Sequence, residues 1–152
     1  MAGAASKLVL ITNASGLDQA AVVEGLKGFS SRDEVWAKLE AGTQQYMNRL
    51  NRPDCSLEKV LANILGLARQ RPIVIQSLFS SINGEAPAGS EIEAYVQRLC
   101  ELKTAGAQIA QVQVYSATRP TPHSECGHLP LRALSQIAQR VREVSGLMAE
   151  AF

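Results

Sequence analysis

Four short β-branched runs separated by helical stripes constrain this chain more than any other feature. The runs are KLVLIT at 7–12, VWAKLE at 35–40, IVIQSLF at 73–79 and IAQVQVYS at 109–116. Between them, apolar residues recur every three or four positions: Val22, Val23, Leu26 and Phe29, then Leu57, Val60, Leu61, Ile64 and Leu65, then Ile92, Tyr95, Val96, Leu99 and Leu102. Strand followed by helix, repeated, predicts right-handed βαβ units and a parallel sheet, an α/β fold. With 152 residues, 46% of them hydrophobic, the chain can bury one core, so residues 1–152 are expected to form a single domain.

Punctuation between the elements agrees with this division. The continuous first run predicts a strand buried on both faces, ended by the turn Asn13-Ala14-Ser15-Gly16, with Asp18 capping the next helix. Residues 43–50 read as helical, Asn51-Arg52-Pro53 breaks them, and Ser56 starts a longer helix that stops before Pro72. A Gly- and Pro-containing loop spans 80–89, and Gly106 stops the helix that follows it. After TRPTPHSECGHLP, Leu131, Leu134, Ile137 and Val141 mark a last helix, and Gly146 precedes a short edge strand, LMAEAF.

The strands are polar on one side. Side chains alternate between faces, so Val35, Ala37 and Leu39 oppose Trp36, Lys38 and Glu40, while Ala110, Val112 and Val114 oppose Gln111, Gln113 and Tyr115. Gln76 interrupts the third run. A doubly wound sheet covered on both sides would be apolar on both. Apolar outside and polar inside is the pattern of a barrel or partial barrel whose lumen holds water or a ligand. The competing reading makes Lys38 and Glu40 the solvated face of an edge strand. A closed eight-stranded barrel takes roughly 250 residues, so four runs and a short fifth cannot close one. The first run is left on an open edge.

Charge is uninformative: 15 Lys and Arg against 14 Asp and Glu give no field that would select nucleic acid or a membrane surface. Cys55, Cys100 and Cys126 are odd in number and widely spaced, which suits free thiols in the cytoplasm, and MAGAASKLVLIT lacks the basic leader of a signal peptide. His123, Cys126 and His128 share one loop, but their spacing fits no common zinc pattern and a polar loop is the simpler reading, so no metal site is expected. Arg119 follows the fourth run where α/β sheets hold ligands, either gripping a carboxylate or tethering its loop. No nucleophile and base pair, and no phosphate-binding glycine loop, is present. No catalytic residue is expected.

Taken in order, ITN at 11–13, WAKLEAG at 36–42, LNRP at 50–53, IVIQSLF with the following NGEAP, EIEAYVQRL at 91–99 and VQVYSATRP at 112–120 resemble the C-terminal half of radical S-adenosylmethionine proteins. The resemblance implies part of a (βα)6 partial TIM-type barrel, with a 4Fe-4S cluster and S-adenosylmethionine as cofactors. It matches Asn13 to the asparagine ending the third strand of that barrel, Lys38 and Glu40 to the inward groups of the fourth, Gln76 to the fifth, and Gln113 with Tyr115 to the sixth. These six would line the S-adenosylmethionine and substrate cavity.

The departures from the family pattern are specific. There is no C-x3-C-x2-C to ligate the cluster and no Gly-Gly-Glu-Pro turn, Glu40 stands where Asp is commoner, and Ala14 stands where Gly is commoner. Without clustered thiolates the chain has no ligands for the cluster that cleaves S-adenosylmethionine, so it is not expected to be competent alone. The expectation is a fragment or split chain contributing a cavity wall for an unknown reaction on a small molecule or peptide. Its partner would be a missing N-terminal half. The alternative is a non-catalytic α/β binding or oligomerisation module self-associating through the exposed first strand.

Overall fold

A computed structural model describes residues 6–50, 55–117 and 125–152. Five strands, β1 (Val9–Thr12), β2 (Glu34–Lys38), β3 (Ile73–Leu78), β5 (Ile109–Tyr115) and β7 (Ala149–Ala151), form one sheet in the order β1-β2-β3-β5-β7, and every neighbouring pair is parallel. The order follows the sequence with no reversal. Right-handed crossovers that always step the same way put their helices on one face, so the sheet is singly wound, as in a barrel wall. LMAEAF is a genuine fifth strand of this sheet.

The crossover helices are α1 (Ala20–Leu26), α3 (Leu57–Ala68), α4 (Gly89–Thr104) and α5 (Leu131–Ser145), and a short α2 (Gln44–Leu50) sits in the loop after β2. Against them lie Val35, Ala37, Leu39, Ile75, Val112, Val114 and Ala149, all essentially inaccessible. The stripe on α4 buries Tyr95, Val96, Leu99 and Leu102, and Ile92 packs half-buried at its edge. Ser56 caps α3 as expected, its Oγ accepting from the Lys59 amide at 3.1 Å. Gly146 ends α5 in the left-handed region at φ 71°, where a residue without Cβ avoids strain.

Several expectations are corrected. β1 is an edge strand, not one buried on both faces: Leu8, Val9 and Ile11 are exposed because nothing pairs beyond it among the described residues. Gln19, not Asp18, occupies the α1 N-cap and makes no side-chain cap; Asp18 instead meets Lys59 at 3.7 Å. Ala110 is exposed, because a register shift at Ile73/Val74 takes it out of the alternation. Leu131 is exposed at the start of α5. The loop after β3 contains β4 (Ser81–Ile82), paired antiparallel with β6 (Cys126–Gly127), a two-residue ladder too short to leave a periodic signal.

Candidate functional site

The face of the sheet opposite the helices is built in rows, because cross-strand partners in a parallel register point the same way. One row is Ile11, Trp36, Val74 and Gln111. The next, two residues closer to the strands' C-terminal ends, is Lys38, Gln76, Gln113 and Glu150. Above it Leu78 pairs with Tyr115, and alternation from Lys38 puts Glu40 at the same level. Lys38, Glu40, Gln76, Gln113 and Tyr115 therefore share one half-buried face. Glu150 joins them, a residue that sequence reasoning left in a doubtful strand and that only the register assigns to the row.

Glu40 is the most constrained group here. Its side chain is 19% exposed, and Oε1 is buried without a hydrogen-bond partner among the described residues. The Lys38 ammonium stands 3.9 Å from that oxygen, an attraction at ion-pair range but too long for a hydrogen bond. Burial raises the Glu40 pKa above its ordinary 4.5, and Lys38 only partly opposes the rise. Burial likewise raises the Tyr115 phenol, and the charge on Glu40 adds to the effect, which places these two groups within electrostatic reach of each other.

Behind Glu40 the chain is fixed firmly. The Ser77 hydroxyl donates to the Leu39 carbonyl at 2.6 Å and bonds the Tyr95 hydroxyl at 2.6 Å, both fully inside the core. Phe79 meets Tyr95 edge to face with centroids 5.1 Å apart. One turn earlier on α4, Glu91 accepts from the Gly42 amide at 2.6 Å and from the Thr43 amide and hydroxyl at 3.3 and 2.7 Å. Arg98 donates to the Gly42 carbonyl at 3.0 Å. A Cβ on Gly42 would lie 2.1 Å from the Tyr95 nitrogen, so only glycine allows the loop to touch the helix backbone.

Asn13 is exposed at the end of β1, and its Oδ1 accepts from the Ser15 amide and hydroxyl at 3.0 and 2.8 Å, closing an Asx turn. Ala14 beside it takes φ 66°, the left-handed region in which glycine is at ease. Arg119 and His123 lie outside the described residues. His128 bonds the Ala117 carbonyl at 3.0 Å. Cys55 sits before α3, Cys100 on α4 and Cys126 in β6; among the described residues no three His, Cys, Asp or Glu side chains gather as a metal site. The residues present do not fit an iron-sulfur cluster. No helix among them is long and apolar enough to cross a membrane.

The site is thus defined by its class: a parallel α/β wall with helices outside and a polar inner face. No protein-family model matches the chain and no curated protein matches it. Solved structures do. A radical SAM methyltransferase from Sphaerobacter thermophilus superposes over 95% of this chain with a TM-score of 0.61 and 15% identity. SuiB from Streptococcus suis, solved bound to S-adenosylmethionine, does so over 96% with a TM-score of 0.68 and 15% identity. The chain spans 39% of the first and 33% of the second, so the shared fold occupies well under half of either.

Proposed function

We propose that residues 1–152 act as one α/β domain, the C-terminal portion of a radical S-adenosylmethionine-type barrel, and supply a wall of its cofactor and substrate cavity. The observation that carries this reading is Glu40: a mostly buried carboxyl on the open face whose Oε1 has no hydrogen-bond partner among the described residues and only Lys38 at ion-pair range, beside a row of amides and charges that a packed core would not tolerate. Such a group calls for a hydrogen-bond donor from a ligand. The fold likeness to a protein solved with S-adenosylmethionine indicates which ligand to try first.

In this reading Glu40 and Tyr115 offer polar atoms at the upper level, and Lys38, Gln76 and Gln113 offer a cation and two amides just below. Asn13 stands at the rim with its Oδ1 already engaged. An iron-sulfur cluster would have to be held by thiolates outside this domain, where it would supply an electron; the domain's own part is to bind and orient. Three cysteines, odd in number and widely spaced in the sequence, support cytoplasmic residence in this reading.

Calorimetric titration with S-adenosylmethionine tests the proposal. Binding is expected for the wild type and should weaken by about tenfold or more in Glu40→Gln, in line with the loss of a charge-assisted hydrogen bond. Absence of binding would overturn it, as would binding untouched by Glu40→Gln and Lys38→Ala together. Anaerobic reconstitution with iron and sulfide is a separate check: a stoichiometric cluster in this chain would contradict the assignment of its ligands elsewhere.

A further inference from the structure

A cavity of about 240 Å³ lies beyond the C-terminal ends of β2 and β3, between α2, the loop that follows β4 and the first turn of α4. Tyr46, Arg49, Ile82, Ser90 and Glu91 stand on its wall. The wall is built wholly from described residues, none of them from β1 or α1, and it shares no residue with the polar rows of the inner face.

This wall is rich in hydrogen-bond donors that nothing accepts. Tyr46 is 7% exposed and packs in a small apolar cluster with Ala41 and Ile82, and its hydroxyl is buried with no hydrogen-bond partner among the described residues. Burial pushes the phenol up to about 12, so it keeps its proton at neutral pH; Glu91 adds to the rise and Arg49 opposes it, so both of these wall charges reach it. The Arg49 guanidinium, exposed on the last turn of α2, makes no ion pair or hydrogen bond among the described residues. Ala88 at the N-cap of the 16-residue α4 has no side-chain acceptor to offer, and the Gly89 and Ser90 amides find none among the described residues. Free acceptors are fewer. Both Glu91 oxygens already take the Gly42 and Thr43 donors, which leaves Glu85, on the exposed loop, as the free carboxylate.

We propose that this cavity binds the carboxylate of a small organic acid, with Arg49 and the Ser90 amide meeting its charge and the Tyr46 hydroxyl donating to one of its oxygens. A carboxylate only accepts, at about four lone-pair sites, which matches a wall whose unmet groups are donors. The first turn of a long helix favours negative charge in the same place. Glu85 and Glu91 stand against one cation, Arg49, so a phosphate dianion is disfavoured and a single negative charge is what the wall accommodates. The volume is below the roughly 300–1,000 Å³ of drug-sized sites, and Ile82, Ala86 and Pro87 supply a short apolar stretch, so the acid carries only a few carbons. The inference does not depend on the cofactor reading, whose residues lie elsewhere.

Titration of the isotope-labelled full chain with butyrate at fixed ionic strength, followed by amide magnetic resonance, tests this. Saturable shifts are expected at Ser90 with a dissociation constant of about 1 mM, the range open to a ligand of about six heavy atoms. Arg49→Gln should raise that constant at least about tenfold and Tyr46→Phe at least about threefold. Butyramide, which lacks the charge, and inorganic phosphate should each bind at least about tenfold more weakly than butyrate. Tyr46→Phe keeps the ring and removes only a buried group without a partner, so its urea midpoint without ligand should not fall. No saturable shift at Ser90, binding that survives either substitution, or butyramide or phosphate binding as tightly as butyrate would overturn the assignment. So would a lowered urea midpoint in Tyr46→Phe, because the hydroxyl would then be serving the fold.

Discussion

Glu91 on α4 accepts the Gly42 amide at 2.6 Å across 49 residues of sequence, and the Thr43 hydroxyl at 2.7 Å with its other oxygen. The carboxylate fastens the loop that follows Glu40, so its removal leaves the Gly42 amide and the Thr43 amide and hydroxyl without their acceptor. Glu91→Ala should cost about 2–3 kcal/mol, the penalty of leaving buried donors unpaired, and Glu91→Gln less. Urea unfolding measures both.

Gly42→Ala should be worse still. The added methyl would collide with the α4 backbone, which cannot move as a flexible side chain would. Overpacking of this kind costs about 1–3 kcal/mol or more, and the Glu91 clamp would loosen with it. The check is a fall in thermal midpoint at least as large as that of Glu91→Ala.

The pair Ser77 and Tyr95 yields an asymmetric result. Tyr95→Phe removes one partner but leaves Ser77 donating to Leu39, a loss of about 1 kcal/mol; Ser77→Ala orphans both the phenol and the carbonyl and should cost about 2 kcal/mol. Equal losses in denaturant melts would contradict this hydrogen-bond arrangement.

Glu40 makes stability fall with rising pH. Its folded pKa is raised above 4.5 by burial, so the folded state holds the proton more tightly than the unfolded chain. That contribution is fully present below the unfolded pKa and is lost as pH rises through the folded one. Glu40→Gln cannot lose it. The variant should gain on the wild type as pH climbs from below the ordinary carboxylate range toward neutrality, read as the difference between their urea midpoints.

Much of this fold could be read from periodicity. The one-sided polarity of three runs foretold that Lys38, Gln76 and Gln113 share a face, because alternation is a local property and strands this regular obey it. What failed depended on neighbours. Strand counting puts the first run on an open edge, but its continuous apolar character mimics a strand buried on both faces, and its exposure is a fact of pairing; Ala110 left its face through a register shift that belongs to β3 as much as to β5. Glu150 went unseen because three residues are too few to show a period. The Glu91 clamp gave no signal at all, since contacts across 49 residues leave no trace in composition.

The lower row of the inner face sets Ile11, Trp36 and Val74 side by side and ends in Gln111. Under the proposed reading, a ligand at Glu40 and Tyr115 would lie beside the loop that Glu91 fastens, so that clamp would hold one side of its entrance.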